Sequence, residues 1–335
     1  MNDTPVLGIL IGDGAGVGPE IIAKLAISNF FNQYCKPVII GDARLLERAF
    51  SVLGASVPLQ IIDEVDQADW TVGIPVLDQK DQDPNTVVYG TLTIEAGKAN
   101  LHAMKLGVEL YKDKKIEGFC FGPFNKAGMK EAGCALESEH HYLAQLFNHT
   151  EPFGEINVLG DLWTTRTTSH IPISEVSKNL SVQTIMRAVR LANTSLKNSG
   201  ITKPRLALAA LNPHAGEHGL CGREEIDVIE PAIAEARKMG IDASGPYPSD
   251  ITFIKAFRGE FDGVVTMYHD QGQIALKLRG FDEGITIAGG LPAPIVTCAH
   301  GTAYDIAGKG IVKTSAFENA VKMACRMANH LRSRS

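Results

Sequence analysis

Residues 7–20 read Leu7-Gly8-Ile9-Leu10-Ile11-Gly12-Asp13-Gly14-Ala15-Gly16-Val17-Gly18-Pro19-Glu20. A strand-length apolar run passes through alternating glycines into Pro-Glu, a pair suited to the first turn of a helix. Strand, glycine turn and helix in that order open a βαβ unit. The alternation continues down the chain. Apolar runs at 37–40, 118–121, 156–159, 206–211, 263–267 and 284–287 predict strands. Amphipathic stretches at 19–30, 43–53, 94–112, 140–147, 181–196, 224–238 and 316–331 predict helices. The pattern is that of an α/β protein with a mostly parallel sheet.

The glycine turn invites a dinucleotide reading, but no register satisfies Gly-x-Gly-x-x-Gly. Counting from Gly12 the last position is Val17, and from Gly14 it is Pro19. A close-packed strand-to-helix turn explains the glycines at least as well as a phosphate cradle.

With 335 residues the chain is long enough for two domains, each burying its own core. Apolar residues make up 44% and charged residues 21%, which excludes a mainly disordered chain. The net charge of −6 is well mixed and argues against nucleic acid as a partner. No apolar run approaches the ~20 residues of a membrane span, and no signal-peptide pattern opens the sequence. The six cysteines, at 35, 120, 134, 221, 298 and 325, form no CxxC pair and match no zinc module. Buried free thiols in a reducing, cytoplasmic setting are expected. The polar connector 78–85 reads as a surface loop. The glycine-rich stretch after Phe121 suggests a domain boundary near residue 130, and the last helix has the option of returning to the first domain.

Three histidines share one context, at or just beyond the end of a predicted strand in polar company. They are His170 after Thr167-Thr168-Ser169, His214 in Asn212-Pro213-His214-Ala215-Gly216, and His269 in Tyr268-His269-Asp270-Gln271-Gly272. In open α/β sheets ligands gather beyond the carboxyl ends of strands. Converging there, the three would make an open site for a divalent cation with positions left for substrate oxygens. Taken singly, each reads first as a turn or cap histidine; the same context three times puts the cation reading on equal footing. Taken alone, Asp250 in Pro248-Ser249-Asp250 reads as a helix N-cap, Lys277 as a solvated helix residue, His140 and His141 as helix-start polar residues, and His300 as a cap before a helix.

Together these segments resemble a known family. Gly-Asp-x-Ala-Gly-x-Gly-Pro-Glu at 12–20, Gly-Pro-x-x-Lys at 122–126, Leu-Asn-Pro-His-Ala-Gly-Glu at 211–217, Tyr-His-Asp-Gln-Gly at 268–272 and His-Gly-Thr-Ala at 300–303 resemble the 4-hydroxythreonine-4-phosphate dehydrogenases. The match runs in order from about residue 6 to 330. It implies an isocitrate/isopropylmalate-dehydrogenase-like fold of two α/β domains flanking an active-site cleft. The implied division is 1–132 plus 290–335 on the cofactor side, and 133–289 carrying metal, substrate and dimer contacts. It further implies a homodimer whose metal site draws on both subunits.

By the same resemblance, His170, His214 and His269 hold one divalent cation (Zn, Mg, Mn or Co), and Lys277 contacts substrate. NAD, or NADP, binds around His300, Gly301, Thr302 and Asp305 without a Rossmann fingerprint. Asp250 supports the metal shell or a proton transfer. The cation, as a Lewis acid, acidifies the substrate hydroxyl for hydride transfer to the nicotinamide.

The chain departs from the vitamin B6 enzyme of that family at the substrate. Where that enzyme has Gly-His-Thr-Glu, this chain has Glu139-His140-His141-Tyr142, so His141 replaces a Thr beside the retained His140. A family Asn becomes Thr286, and an anion-contacting Arg becomes Ile295, which is not a conservative loss. Leu-Glu-Ser-Glu-His-His and Gly-Gly-Leu-Pro-x-Pro-Ile resemble a sister branch acting on 4-phospho-D-threonate or 4-phospho-D-erythronate. The expected activity is therefore NAD-linked oxidation at C3 of such a four-carbon phosphorylated hydroxy acid, then decarboxylation to dihydroxyacetone phosphate. The rivals are 4-hydroxythreonine-4-phosphate oxidation, an aromatic dihydrodiol dehydrogenase, a metal-dependent hydrolase and a non-catalytic phosphometabolite binder.

Overall fold

The computed structural model describes residues 4–334. Its strands, in chain order, are β1 (Val6–Leu10), β2 (Lys36–Gly41), β3 (Leu59–Ile62), β4 (Ile74–Asp78), β5 (Phe119–Phe121), β6 (Gly154–Leu159), β7 (Leu162–Arg166), β8 (Arg205–Ala209), β9 (Asp242–Tyr247), β10 (Gly263–Thr266), β11 (Ile285–Gly289) and β12 (Ile295–Cys298). Helices separate most of them, which is the α/β alternation the sequence predicts. The chain forms two compact units. One runs to Thr150 and resumes at Leu291, and the other is Glu151–Gly290.

In the first unit the strand order is β3-β4-β2-β1-β5-β12, and every neighbouring pair is parallel. Leu7, Ile9 and Leu10 of β1 and Val38, Ile39 and Ile40 of β2 are wholly buried. Continuous apolar runs of this kind are what a parallel sheet covered on both faces requires. The helix Ser315–Arg332 packs on β12, so the end of the chain returns to the first unit.

The segment 133–150 differs from the expected division. It belongs to the first unit because the helix Glu139–Phe147 lies on the helix Ile94–Lys112. Lys112 Nζ donates to the Leu146 carbonyl at 2.7 Å, and Tyr111 meets Phe147 edge to face at 6.0 Å.

In the second unit the order is β11-β6-β7-β10-β8-β9. β7, β10, β8 and β9 are mutually parallel, and β6 pairs antiparallel with both β7 and β11. β9 contains Gly245 and Pro246 and looks like a loop in sequence. It lies at the end of the strand order, where a proline costs no ladder bond. Phe253, Val264, Leu159 and Leu276 anchor this unit's core.

Among the described residues no helix is long and apolar enough to cross a membrane. All six cysteines are free, and Cys35, Cys120, Cys298 and Cys325 are buried. Burial holds the Cys120 thiol well above its usual range, which makes it inert.

Candidate active site

His170, His269 and His214 follow the carboxyl ends of β7, β10 and β8, three adjacent parallel strands of the second unit. The β7–β10 pairing continues past the strand ends. Thr167 N–H donates to the Thr266 carbonyl at 2.8 Å, and both the N–H and the hydroxyl of Thr168 reach the Met267 carbonyl. That zipper brings His170 beside His269, with ring centroids 5.6 Å apart and planes tilted by 44°. His269 opens the helix His269–Gly280, which is missing from the predicted helices although Lys277 reads as a helix residue. The His269 Nδ1 lies 2.7 Å from the Asp270 carboxylate, so Nε2 is the nitrogen that could take a ligand. A carboxylate behind an imidazole is the usual support of a metal-binding histidine.

His214 does not join them. Among the described residues of the single chain no three His, Cys, Asp or Glu side chains gather as a cation cage. His214 instead begins a left-handed turn. His214, Ala215, Gly216, Glu217 and His218 all have φ between +44° and +76°. Left-handed backbone costs an L-residue about 1–2 kcal/mol, so four non-glycine residues in a run of five mark a turn held by its surroundings. The turn leaves the His214 side chain 75% exposed. Of the three predicted ligands, the chain thus brings His170 and His269 together, and these two could hold a cation in common.

Behind the histidine pair lies a polar hub absent from the sequence reading. Arg166, four residues before His170, donates to Glu155 Oε2 at 2.7 Å, Asn157 Oδ1 at 2.9 Å and Ser169 Oγ at 3.0 Å. Asn157 Oδ1 also accepts from Gln273 Nε2 at 2.6 Å, while its amide donates to Glu155 and to Thr286 Oγ1. Gln273 sits one turn beyond His269 and one turn before Lys277. The hub therefore ties the end of β7 to the helix carrying His269 and Lys277. Polar side chains spread over β6, β7 and a helix give no local sequence signal.

Lys277 is exposed on that helix, about two turns past His269. Thr286 is buried and its hydroxyl is taken up by Asn157, so it supports the hub from β11. Asp250 is exposed in the first turn of the helix Ser249–Phe257, where Pro248 occupies the N-cap expected for it. Ile295 is a wholly buried residue of β12 paired with Phe119. A cavity of about 770 Å³ near the amino ends of β8 and β10, lined by Arg205, Phe257, Asp262 and Arg279, contains none of the predicted site residues.

In the first unit the glycine turn spends its N–H groups internally. Gly14 donates to Gln82 Oε1, Ala15 to Asp13 Oδ1, Gly16 to the Asp13 carbonyl and Val17 to the Thr302 carbonyl. A Cβ on Gly16 would stand 2.8 Å from the Thr302 oxygen. The turn is thus a packing surface for the segment 300–305, and its glycines do not form a phosphate cradle. Gln82 comes from the connector read as a surface loop and is buried.

Asp13 is 1% exposed. Burial pushes its carboxyl up, against the Tyr304 hydroxyl and the Ala15 N–H that favour the charged form. Tyr304 is itself pushed up by burial and by Asp13. His300 touches the adjacent Gly301 carbonyl, and irregular turns follow it where a helix was expected. Gly301 and Asp305 are exposed, and Thr302 is half-buried.

His140 is buried in the helix Glu139–Phe147, and His141 lies 2.9 Å from Ser138 Oγ. Lys126, of the Gly-Pro-x-x-Lys segment, is 3.5 Å from Glu139.

The family model described as "Pyridoxal phosphate biosynthetic protein PdxA" matches residues 33–324. A relative from Pseudomonas aeruginosa, named "Putative 4-hydroxythreonine-4-phosphate dehydrogenase 2", is 41% identical over 330 residues, 97% of this chain and 98% of its own. A D-threonate 4-phosphate dehydrogenase from Cupriavidus necator is 34% identical, covering 97% of each chain. A crystal structure of a 4-hydroxythreonine-4-phosphate dehydrogenase from Burkholderia phymatum superimposes with a TM-score of 0.82 at 35% identity, over 97% of this chain and 98% of that one. With its two α/β units and its paired histidines beyond parallel strands, the chain belongs to the PdxA family and is a dehydrogenase.

Proposed function

We propose that this dehydrogenase oxidises C3 of 4-phospho-D-threonate or 4-phospho-D-erythronate with NAD, the resulting β-keto acid losing CO2 to give dihydroxyacetone phosphate. The observation that carries the reading is the His170–His269 pair, in which His269 is backed by Asp270 and shares a helix with Lys277. When bound, a divalent cation supplies Lewis-acid polarisation of the hydroxyl and NAD accepts the hydride.

The chain's own residues do the rest. His170 and His269 present imidazole nitrogens to the cation. Lys277 anchors the anionic substrate from an exposed position. Asp250 receives or relays the hydroxyl proton. His140 and His141 are read as substrate-binding residues on the resemblance, and the His141 ring is held by Ser138. Thr286 takes part through the hub it shares with Asn157. The segment holding His300, Gly301, Thr302 and Asp305 receives NAD, seated on the glycine turn by the Val17–Thr302 bond.

The third cation ligand in this reading is His214 of the partner subunit, so the enzyme works as a homodimer. Ile274 and Leu278, on the helix that carries His269, and Phe281, which caps its end, support this, since all three are exposed at helical spacing. The loss of the family Arg at Ile295 favours the sugar-acid phosphates over 4-hydroxythreonine-4-phosphate. The test is a substrate panel followed by NADH absorbance with and without added Mg, Mn, Co or Zn. NADH formation with 4-phospho-D-threonate that depends on the cation supports the reading. NADH formation only with 4-hydroxythreonine-4-phosphate overturns the substrate assignment.

A further inference from the structure

Glu225 is 1% exposed and sits in the π-turn Glu225–Ile229, a local widening that interrupts an otherwise helical path. Its carboxylate faces N–H donors. Oε1 accepts from the backbone of Leu211 at 2.9 Å and of Asn212 at 2.8 Å, and Oε2 accepts from the Asn212 amide at 2.9 Å. The same amide donates to Glu224 Oε2 at 2.7 Å. The chain then closes over the carboxylate. A Cβ on Gly216 would lie 2.6 Å from Glu225 Oε2, so a side chain there would have to displace the carboxylate. Between the anchor at Asn212 and this lid run the left-handed residues that begin with His214.

Left-handed backbone at His214, Ala215, Glu217 and His218 persists only where the surroundings hold it. Glu225 touches the run at two places: it grips Leu211 and Asn212 just before the run and lies against Gly216 at its middle. We infer that Glu225 is a positioning residue that locks this turn and so presents His214 outward as a preformed ligand for the cation site of a second copy. The inference rests on the interface cation site proposed above. It adds a carboxylate that touches neither cation nor substrate and sets where the third ligand stands.

The test is Co(II) titration of the full-length protein, read by visible absorption, with sedimentation and circular dichroism alongside and no substrate or NAD present. Glu225→Gln keeps the shape but turns an amide donor toward the Asn212 amide. It should weaken Co(II) binding about tenfold or more, as loss of outer-shell support does, with dimer and helix content unchanged. His214→Ala should weaken binding similarly. Adding Ala215→Gly to Glu225→Gln should restore most of the affinity, because glycine adopts positive φ without strain.

A Glu225→Gln protein with wild-type affinity, where His214→Ala has lost it, overturns the inference and leaves the cation site standing. A defect that Ala215→Gly does not relieve also overturns it. Wild-type binding indifferent to His214→Ala overturns the cation reading and the inference with it. Should Glu225→Gln not fold, Asn212→Ala removes the bridging amide and must weaken Co(II) binding, and unchanged affinity there counts against the inference.

Discussion

Asp13 and Tyr304 stand 291 positions apart, and the Tyr304 hydroxyl donates to the Asp13 carboxylate at 2.7 Å. The bond fastens the segment after His300 to the glycine turn that opens the chain. Burial raises the Asp13 carboxyl, so its ionisation opposes folding as pH rises through its folded-state value, and Tyr304 offsets part of that cost. Tyr304→Phe should therefore cost about 1.5–3 kcal/mol near pH 7.5 and less at an acid pH low enough to protonate the carboxyl. Thermal melts at the two pH values check this, and an equal loss at both contradicts it. The variant should also raise KM for NAD more than it lowers kcat.

Asn157 uses both ends of its amide to join Arg166, Gln273, Glu155 and Thr286. Asn157→Ala leaves the Arg166 and Gln273 donors short of an acceptor in a buried place. We expect a loss of about 2–3 kcal/mol in urea unfolding. Lys277 and His269 share the helix that Gln273 steadies, so KM for substrate should rise with it. A variant of wild-type stability would show that the hub contributes nothing.

Leu278 is 85% exposed in the single chain, at the centre of the stripe formed with Ile274 and Phe281. Leu278→Glu should convert a dimer to a monomer in sedimentation velocity while leaving the far-ultraviolet circular dichroism unchanged. Its activity should fall with the dimer, since the proposed assembly draws His214 of the partner subunit into the site. A dimer that survives the charge, or a fully active monomer, contradicts the assembly.

The residues differ in how much of this they announce in sequence. Leu7–Leu10 and Val38–Ile40 read as buried parallel strands because their apolar runs are continuous. β9 does not, because Gly245 and Pro246 mimic a loop and only its edge position makes them tolerable. The contexts of His170 and His269 were legible, since both follow strand ends. Their partition from His214 was not, because it depends on positive φ values that no residue type at 214, 215, 217 or 218 signals. Glu225 and Asn157 escape for a related reason. Each acts through partners on other elements, and Glu and Asn at such positions look like ordinary surface residues. The failed dinucleotide spacing at 12–19 was informative, and the structure gives the reason: those glycines make room for Thr302 and for Ile11, with the N–H groups already bonded.

Steady-state turnover in competition most directly tests the central claim of a cation-dependent, NAD-linked oxidation of a sugar-acid phosphate. With NAD and Mn(II) saturating, the proposal expects 4-phospho-D-threonate or 4-phospho-D-erythronate to give NADH and dihydroxyacetone phosphate in equal amounts. It expects kcat/KM to exceed that for 4-hydroxythreonine-4-phosphate by about tenfold or more, some 1.4 kcal/mol of discrimination at the C2 substituent. Equal turnover of the amine, or a preference for it, would contradict the account and place the chain with the enzymes of pyridoxal phosphate synthesis.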